Sequence, residues 1–201
     1  MFMIEQYLVP VAGYLAGSLA SAIIICRAMG LPDPRQGGSG NPGATNVLRL
    51  GGKKAAVFTL LGDVLKGVIP VLIAHLLLLP PWSIALTALG AFLGHLYPVF
   101  FRFQGGKGAA TAFGATAALS WPVGIAFAIT WLLVAGASRF SSLASLLAAA
   151  LSPAFAMLLT ASVDNALVLG VMALFIFWRH RQNIARLRAG TEGRIGQKST
   201  G

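Results

Sequence analysis

Three short segments hold most of the residues able to handle a small charged molecule. The first is Gly37-Gly38-Ser39-Gly40-Asn41-Pro42-Gly43-Ala44-Thr45-Asn46, followed by Arg49. Its glycines leave backbone N–H groups unshielded and accept positive φ. Ser39, Asn41, Thr45 and Asn46 add hydroxyl and amide groups, and Arg49 adds a fork-shaped cation. Such a segment can wrap a phosphate. It is not a Walker A loop, because no Gly-Lys-Ser/Thr closes it, and a flexible linker between helices is the plain alternative. The second segment runs from Gly94-His95 to Gly105-Gly106-Lys107-Gly108. Gly105, Gly106 and Gly108 around Lys107 form a second candidate anion cradle at the start of a helix, where free N–H groups and the helix dipole favour phosphate. A tight interhelical turn with a topology-fixing lysine is its alternative. The third begins Arg179-His180 and extends to Glu192. Arg179, Asn183 and Arg186 share a helix face at i, i+4, i+7, and His180 and Asn183 are i, i+3 neighbours. A basic stop-transfer tail accounts for Arg181 and Arg188 but less well for His180 and Asn183. Ser142 and Ser145 supply further hydroxyls.

Several chemistries are excluded. Asp33, Asp63 and Glu192 are the only acids near these segments, so a two-metal aspartate site is absent. No His/Cys/Asp cluster suits zinc or iron. The His-x4-Asp pattern fails at all three histidines, since Pro80, Phe100 and Ala185 stand five places after His75, His95 and His180. No Gly-x-Ser-x-Gly elbow occurs. A reaction here therefore needs an activated substrate that brings its own leaving group.

The elements that must carry these segments follow from composition. Of 201 residues, 57% are hydrophobic and 10% charged, with mean hydropathy +0.79. A soluble domain could not hide so much apolar side chain. The chain reads as an all-α polytopic membrane protein. Fifteen Lys and Arg against five Asp and Glu give +10, which in a membrane protein signals orientation and anionic ligands rather than nucleic acid. Apolar stretches of about 20 residues are counted as crossings. Between Lys107 and Arg139 lie about thirty apolar residues broken at Trp121-Pro122. Keeping both flanks on the positive, cytoplasmic side requires two short helices there. The spans fall at about 3–25, 55–79, 82–101, 106–120, 122–138, 142–161 and 164–178. These seven transmembrane helices, some short, form a single membrane domain over 1–201. The N-terminus lies outside and the C-terminus is cytoplasmic; six crossings is the rival count. All basic residues except Lys66 then face the cytoplasm, while Glu5 and Asp164 lie outside. The first span has no basic residues before it and is not read as a signal peptide. Asp63 and Lys66, i, i+3 inside the second span, should pair, either as structure or as part of a site. His75 reads as structural, and the lone Cys26 has no internal disulfide partner.

In order and spacing, the three segments resemble the bacterial membrane-bound glycerol-3-phosphate acyltransferases that use acyl phosphate, the PlsY family. The resemblance rests on Gly38–Asn46, on Gly94-His95 through Gly108, and on Arg179-His180 through Asn183 and Glu192. It implies a seven-span bacterial inner-membrane enzyme with a cytoplasmic active site. The reaction it implies joins an acyl chain to the sn-1 hydroxyl of glycerol 3-phosphate and yields lysophosphatidic acid and phosphate. No cofactor or metal is implied, and the acyl phosphate would come from a soluble partner enzyme. On this reading Ser39, Lys107, His180 and Asn183 are catalytic. Lys107 neutralises the leaving phosphate, and His180 and Asn183 position glycerol 3-phosphate. Arg49 or Arg179 holds its phosphate. Gly40, Asn41, Gly43, Thr45, Asn46, Gly105, Gly106 and Gly108 line the two cradles, with Ser142 and Ser145 as added donors. A substrate phosphate oxygen takes the hydroxyl proton. A transporter for small phosphorylated solutes and an acyltransferase using acyl-CoA or acyl-carrier protein are the rival readings.

Overall fold

The computed structural model describes residues 4–196. Met3, where the first span is expected to begin, and Lys198 lie outside them. The described residues form helices and no strand: α1 (Glu5–Gly17), α2 (Ser21–Ala28), α3 (Ala44–Leu76), α4 (Pro81–Leu96), a 3-10 turn (Val99–Phe101), α5 (Ala109–Leu119), α6 (Trp121–Ser138), α7 (Ser141–Thr160), α8 (Val163–Arg179) and α9 (Arg181–Arg188).

The expected first span is two helices bent by 40°. Ser18 turns its hydroxyl back onto the Tyr14 carbonyl, and the Leu19 carbonyl accepts from Lys66 Nζ at 2.9 Å. The break is stable because its exposed carbonyl is satisfied from α3, a partner 47 residues away. The second span starts earlier than expected. Gly43 is extended (φ −144°, ψ 161°) and releases the chain into helix at Ala44; Gly52, at φ 75°, kinks that helix within its first turns. Arg49, Lys53 and Lys54 are therefore helical rather than part of a loop. Pro80-Pro81 opens α4 with proline in the first turn, where its missing N–H costs nothing. Extended Ser120 (φ −160°) separates α5 from α6, beside the expected turn at Trp121-Pro122.

Helix length alone supports four crossings, or up to six when each bent pair counts as one. The seventh expected helix, α5, has 11 residues. It rises roughly 16 Å, about half the hydrocarbon thickness. Residues 105–108, expected as its first turn, are not helical.

Packing relies on close backbone approach, as expected where lipid supplies no hydrophobic drive between helices. Gly13 and Gly17 of α1 lie against Thr87 and Ala91 of α4, and Gly90 and Gly94 of α4 against Pro10 and Tyr14 of α1. A Cβ on Gly17 would overlap the Ala91 backbone, and one on Gly94 the Tyr14 carbonyl. Between α3 and α5, Gly67 abuts the Thr111 carbonyl and Gly114 that of Val64. Phe92, Leu96, Val71, Val123, Met172 and Ile176 fill the interior, while Leu76, Leu78, Trp121, Leu158 and Leu174 face outward. That outward apolar surface, with every span helical, is what a bilayer demands.

Candidate active site

The lysine loop is built from its neighbours. After the 3-10 turn, Arg102 and Phe103 take left-handed φ of 55° and 59°, which swings the chain back over the end of α4. Gly106 N–H then donates to the His95 carbonyl at 3.2 Å. On the opposite side the Arg179 guanidinium donates to the Gly105 and Gly106 carbonyls at 2.6 and 3.0 Å, with its carbon 5.9 Å from the centre of the Tyr97 ring. Gly105 and Gly106 were expected to cradle an anion. Instead the Gly106 N–H and both carbonyls are committed to protein partners, and Arg179 is a clamp on the loop. What the loop offers a ligand is Lys107, together with Gly108 at the N-terminus of α5 (φ 88°).

Lys107 Nζ donates to Asn183 Oδ1 at 2.6 Å. The Asn183 amide donates to Glu192 Oε1 at 2.5 Å, and Ser142 Oγ donates to the same oxygen at 2.7 Å. Arg186 Nε takes Oε2 at 2.7 Å. Glu192 thus joins α7, α9 and the tail around one carboxylate, which sequence reasoning placed in the motif but not in the site. Tail residue Ile195 pairs with Arg139 through the main chain, its N–H reaching the Arg139 carbonyl at 2.7 Å. Burial raises the Glu192 carboxyl, but the hydrogen bonds from Asn183, Ser142 and Arg186 outweigh it and hold the group below the usual glutamate range. An ionised carboxylate held by three donors from α7 and α9 acts as scaffolding and is a weak base.

Burial pushes the Lys107 ammonium down to about 8; Arg186, Arg179 and Arg49 add to that and outweigh Glu192. Burial also pushes His180 down to about 4, against the opposing pull of the Ile176 carbonyl and with Lys107 adding to the fall. His180 Nδ1 lies 2.8 Å from the Ile176 carbonyl. A carbonyl only accepts, so Nδ1 carries the hydrogen, and the neutral ring leaves Nε2 free to accept from a hydroxyl.

The first loop is stapled by Asn46, not opened by it. The Asn46 amide donates to the Pro34 and Gly37 carbonyls at 2.8 and 3.0 Å, and its Oδ1 accepts the Ser39 N–H at 2.9 Å. Asn46 was expected on a ligand, yet every polar atom of its side chain is in use. Gly40 takes φ 68°. The Asn41 carbonyl accepts from Gly43 N–H at 2.9 Å. The Ser39 hydroxyl, Thr45 and Arg49 are exposed. Ser145 departs from expectation too: buried, it donates to the Ser141 carbonyl and accepts from Trp131 Nε1, locking α7 to α6.

The N-termini of α3, α5 and α7 lie at the same end as the α8–α9 junction, and none is capped by a side chain. Three helix starts without side-chain caps, together with Lys107 and Arg49, form a surface whose N–H groups and cations suit an anion. The structure gathers Lys107, His180, Asn183, Ser142 and Arg49 there. It sets Asn46, Ser145, Arg179, Gly105 and Gly106 to holding that surface in shape. Among the described residues no group of three His, Cys, Asp or Glu is placed to hold a metal.

The glycerol-3-phosphate acyltransferase family model matches residues 7–190. The glycerol-3-phosphate acyltransferase of Halorhodospira halophila is 54% identical over 98% of this chain and 100% of its own. That of Methylococcus capsulatus is 52% identical, over 97% of this chain and 98% of its own. The crystal structure of PlsY, an integral membrane glycerol 3-phosphate acyltransferase, in its glycerol 3-phosphate form superposes with TM-score 0.90. Identity is 40%, and 96% of each chain is covered. Its lysophosphatidic acid form gives TM-score 0.87 at 38% identity, again over 96% of each chain. The match of sequence and fold along nearly the whole length places this chain in the glycerol-3-phosphate acyltransferase family.

Proposed function

We propose that this integral membrane acyltransferase moves an acyl chain from acyl phosphate to the sn-1 hydroxyl of glycerol 3-phosphate. The observation that carries the reading is the composition of the cluster. It has a half-buried cation, Lys107, bonded to Asn183 among uncapped helix N-termini, and both oxygens of its one carboxylate, Glu192, already accept hydrogen bonds from the protein. Such a site binds phosphates and lacks a free carboxylate base. The hydroxyl oxygen attacks the acyl carbonyl carbon, the carbonyl carbon–phosphate oxygen bond breaks, and inorganic phosphate leaves. Lys107 neutralises the charge gathering on that phosphate. His180 Nε2 and Asn183 orient the glycerol hydroxyls, with Arg49 on the phosphate and Ser142 holding Glu192 in place. A phosphate oxygen takes the hydroxyl proton, its second pKa near 6 suiting a neutral medium. The products are lysophosphatidic acid and phosphate, with a soluble enzyme supplying the acyl phosphate.

Purified protein given labelled glycerol 3-phosphate with acyl phosphate, acyl-CoA, acyl-carrier protein or no donor tests this. Product with acyl phosphate alone is expected. Product only with a thioester donor overturns the donor assignment. Uptake into vesicles without product would make the protein a transporter.

Lys107 also sets the pH dependence. It is charged below about 8 and neutral above, so kcat/KM should fall as pH rises through about 8. Bound phosphates favour the ammonium, so the same limb in kcat should sit higher. His180, neutral above about 4, should contribute no limb between pH 6 and 9. A kcat/KM that is flat to pH 9.5 would remove Lys107 from the protonation scheme.

The proposal includes seven crossings in a bacterial inner membrane, with the site end cytoplasmic. Helix α5 makes the short seventh crossing, with residues 105–108 at its cytoplasmic mouth. Arg27, Arg35, Arg102 and Arg139 gather at the site end, while Glu5 and Asp164 begin α1 and α8 at the other. A cysteine placed at Trp121, which is exposed, should react with an impermeant thiol reagent from outside the cell. Reaction only from the cytoplasmic side would reverse this topology.

A further inference from the structure

We infer that the buried cluster of Asp63, Lys66 and His95 is the seat of the lysine loop, with His95 as the positioning residue that fixes where Lys107 stands. The inference deepens the acyl-transfer reading and rests on it only for what Lys107 does in turnover. Asp63 on α3 and His95 on α4 are both buried inside the helical bundle. Asp63 Oδ1 lies 2.9 Å from Lys66 Nζ and 3.4 Å from His95 Nδ1. Thr111 of α5 donates its hydroxyl to the Asp63 carbonyl at 2.8 Å, and its oxygen lies 3.1 Å from His95 Nδ1. Both atoms facing Nδ1 are therefore acceptors, so Nδ1 carries a hydrogen and the ring is held in one orientation from two helices.

An ion pair needed only for folding would stop at Asp63 and Lys66; charges in a membrane interior are costly and usually mark a function. Here the third member reaches the loop twice. The His95 carbonyl accepts the Gly106 N–H. A Cβ on Gly105 would overlap the His95 and Leu96 carbonyls, and one on Gly106 would overlap His95 Nε2 and stand 3.1 Å from the Pro42 carbonyl. Gly106 thus lies between the ring and the first glycine loop, and side-chain-free residues are what let the lysine loop sit on the ring. Arg179 presses the same two residues from the far side. Lys107 is the next residue, so a shift of the loop moves Nζ away from Asn183. The groups facing Lys107 are Arg49 of α3, Arg179 of α8, His180, Asn183 and Arg186 at the α8–α9 turn, and Glu192 of the tail. None belongs to the proposed cluster, so a change in Lys107 on altering His95 reports loop position.

The test uses two full-length variants in detergent or nanodiscs. His95→Asn keeps a donor toward Thr111 but removes the ring floor. Gly106→Ala leaves every buried charge in place and lifts the loop off Nε2. The Lys107 side chain is titrated by its pH-dependent reaction with a small amine-modifying reagent, read by mass spectrometry, with thermal unfolding recorded alongside. The wild-type midpoint is expected near 8. In both variants it should rise by at least about one unit, as the ammonium regains water. kcat should fall about 10- to 100-fold, with less change in KM for glycerol 3-phosphate. A role confined to folding would lower the melting temperature and leave the midpoint alone. An unchanged midpoint with unchanged kcat in either folded variant overturns the inference. The labelling contains no substrate, so failure of acyl-phosphate turnover in the wild type would sink the functional reading and leave this result standing.

Discussion

Lys107→Ala should cost about 10²–10³-fold in kcat, the loss typical of removing one group that stabilises developing charge, with folding little changed. In the proposed reaction the leaving phosphate departs with extra charge, and Lys107 is the half-buried cation placed to receive it. Arg49 is proposed on the glycerol 3-phosphate, Arg179 is committed to the Gly105 and Gly106 carbonyls, and Arg186 to Glu192. No neighbour is free to replace the lost ammonium. Because Lys107 is already disfavoured as a cation by burial, its removal relieves a desolvation cost, so the melting temperature should hold or rise slightly. Steady-state acyl transfer with unfolding curves on the same preparation checks both parts. Turnover within tenfold of wild type would refute the role.

Glu192→Ala should produce the next largest loss, of a different kind. Its carboxylate receives Ser142, Asn183 and Arg186 at 2.7 Å or less. Truncation leaves those donors without a partner, at about 1–3 kcal/mol for each buried group left unsatisfied. Asn183 loses the bond that aims its Oδ1 at Lys107, and the tail loses its anchor on α7. KM for glycerol 3-phosphate should rise about 10-fold or more and the melting temperature should fall. The alkaline limb of kcat/KM should move below 8, because Glu192 is the anion that supports the Lys107 charge. Glu192→Gln keeps the shape of the acceptor and should recover most of the stability but not the position of the limb. Wild-type KM and melting temperature in Glu192→Ala would show that the carboxylate organises nothing.

Much of this protein was legible in its residues. The membrane class followed from apolar content, the helix boundaries near Pro80-Pro81 and Trp121-Pro122 from proline, and the three polar segments from glycine and cation spacing. His180 and Asn183 stand out as side chains that a stop-transfer tail explains less well, and Lys107 as the cation of the second glycine-rich segment. Other side chains expected on a ligand are engaged by the fold itself, for a shared reason. Asn46 and Arg179 carry the right groups for a phosphate, but backbone carbonyls elsewhere in the fold claim them first. Ser145 is spent on Trp131, a neighbour across the α6–α7 pair. A side chain's chemistry is written in its type, whereas its availability depends on what is folded against it.

The sequence by itself determined that the chain is helical, lives in a bilayer and carries groups suited to a phosphate in three places. Those properties are local: hydropathy, periodicity and backbone permissiveness act within a few residues. Only the tertiary structure decided that Glu192 organises the site and that Lys66 satisfies the break after α1. It alone joined Asp63 to His95 beneath the lysine loop. Each depends on atoms distant in sequence meeting within about 3 Å, and in a buried site such a meeting settles whether a polar group is spent on the fold or left for a ligand.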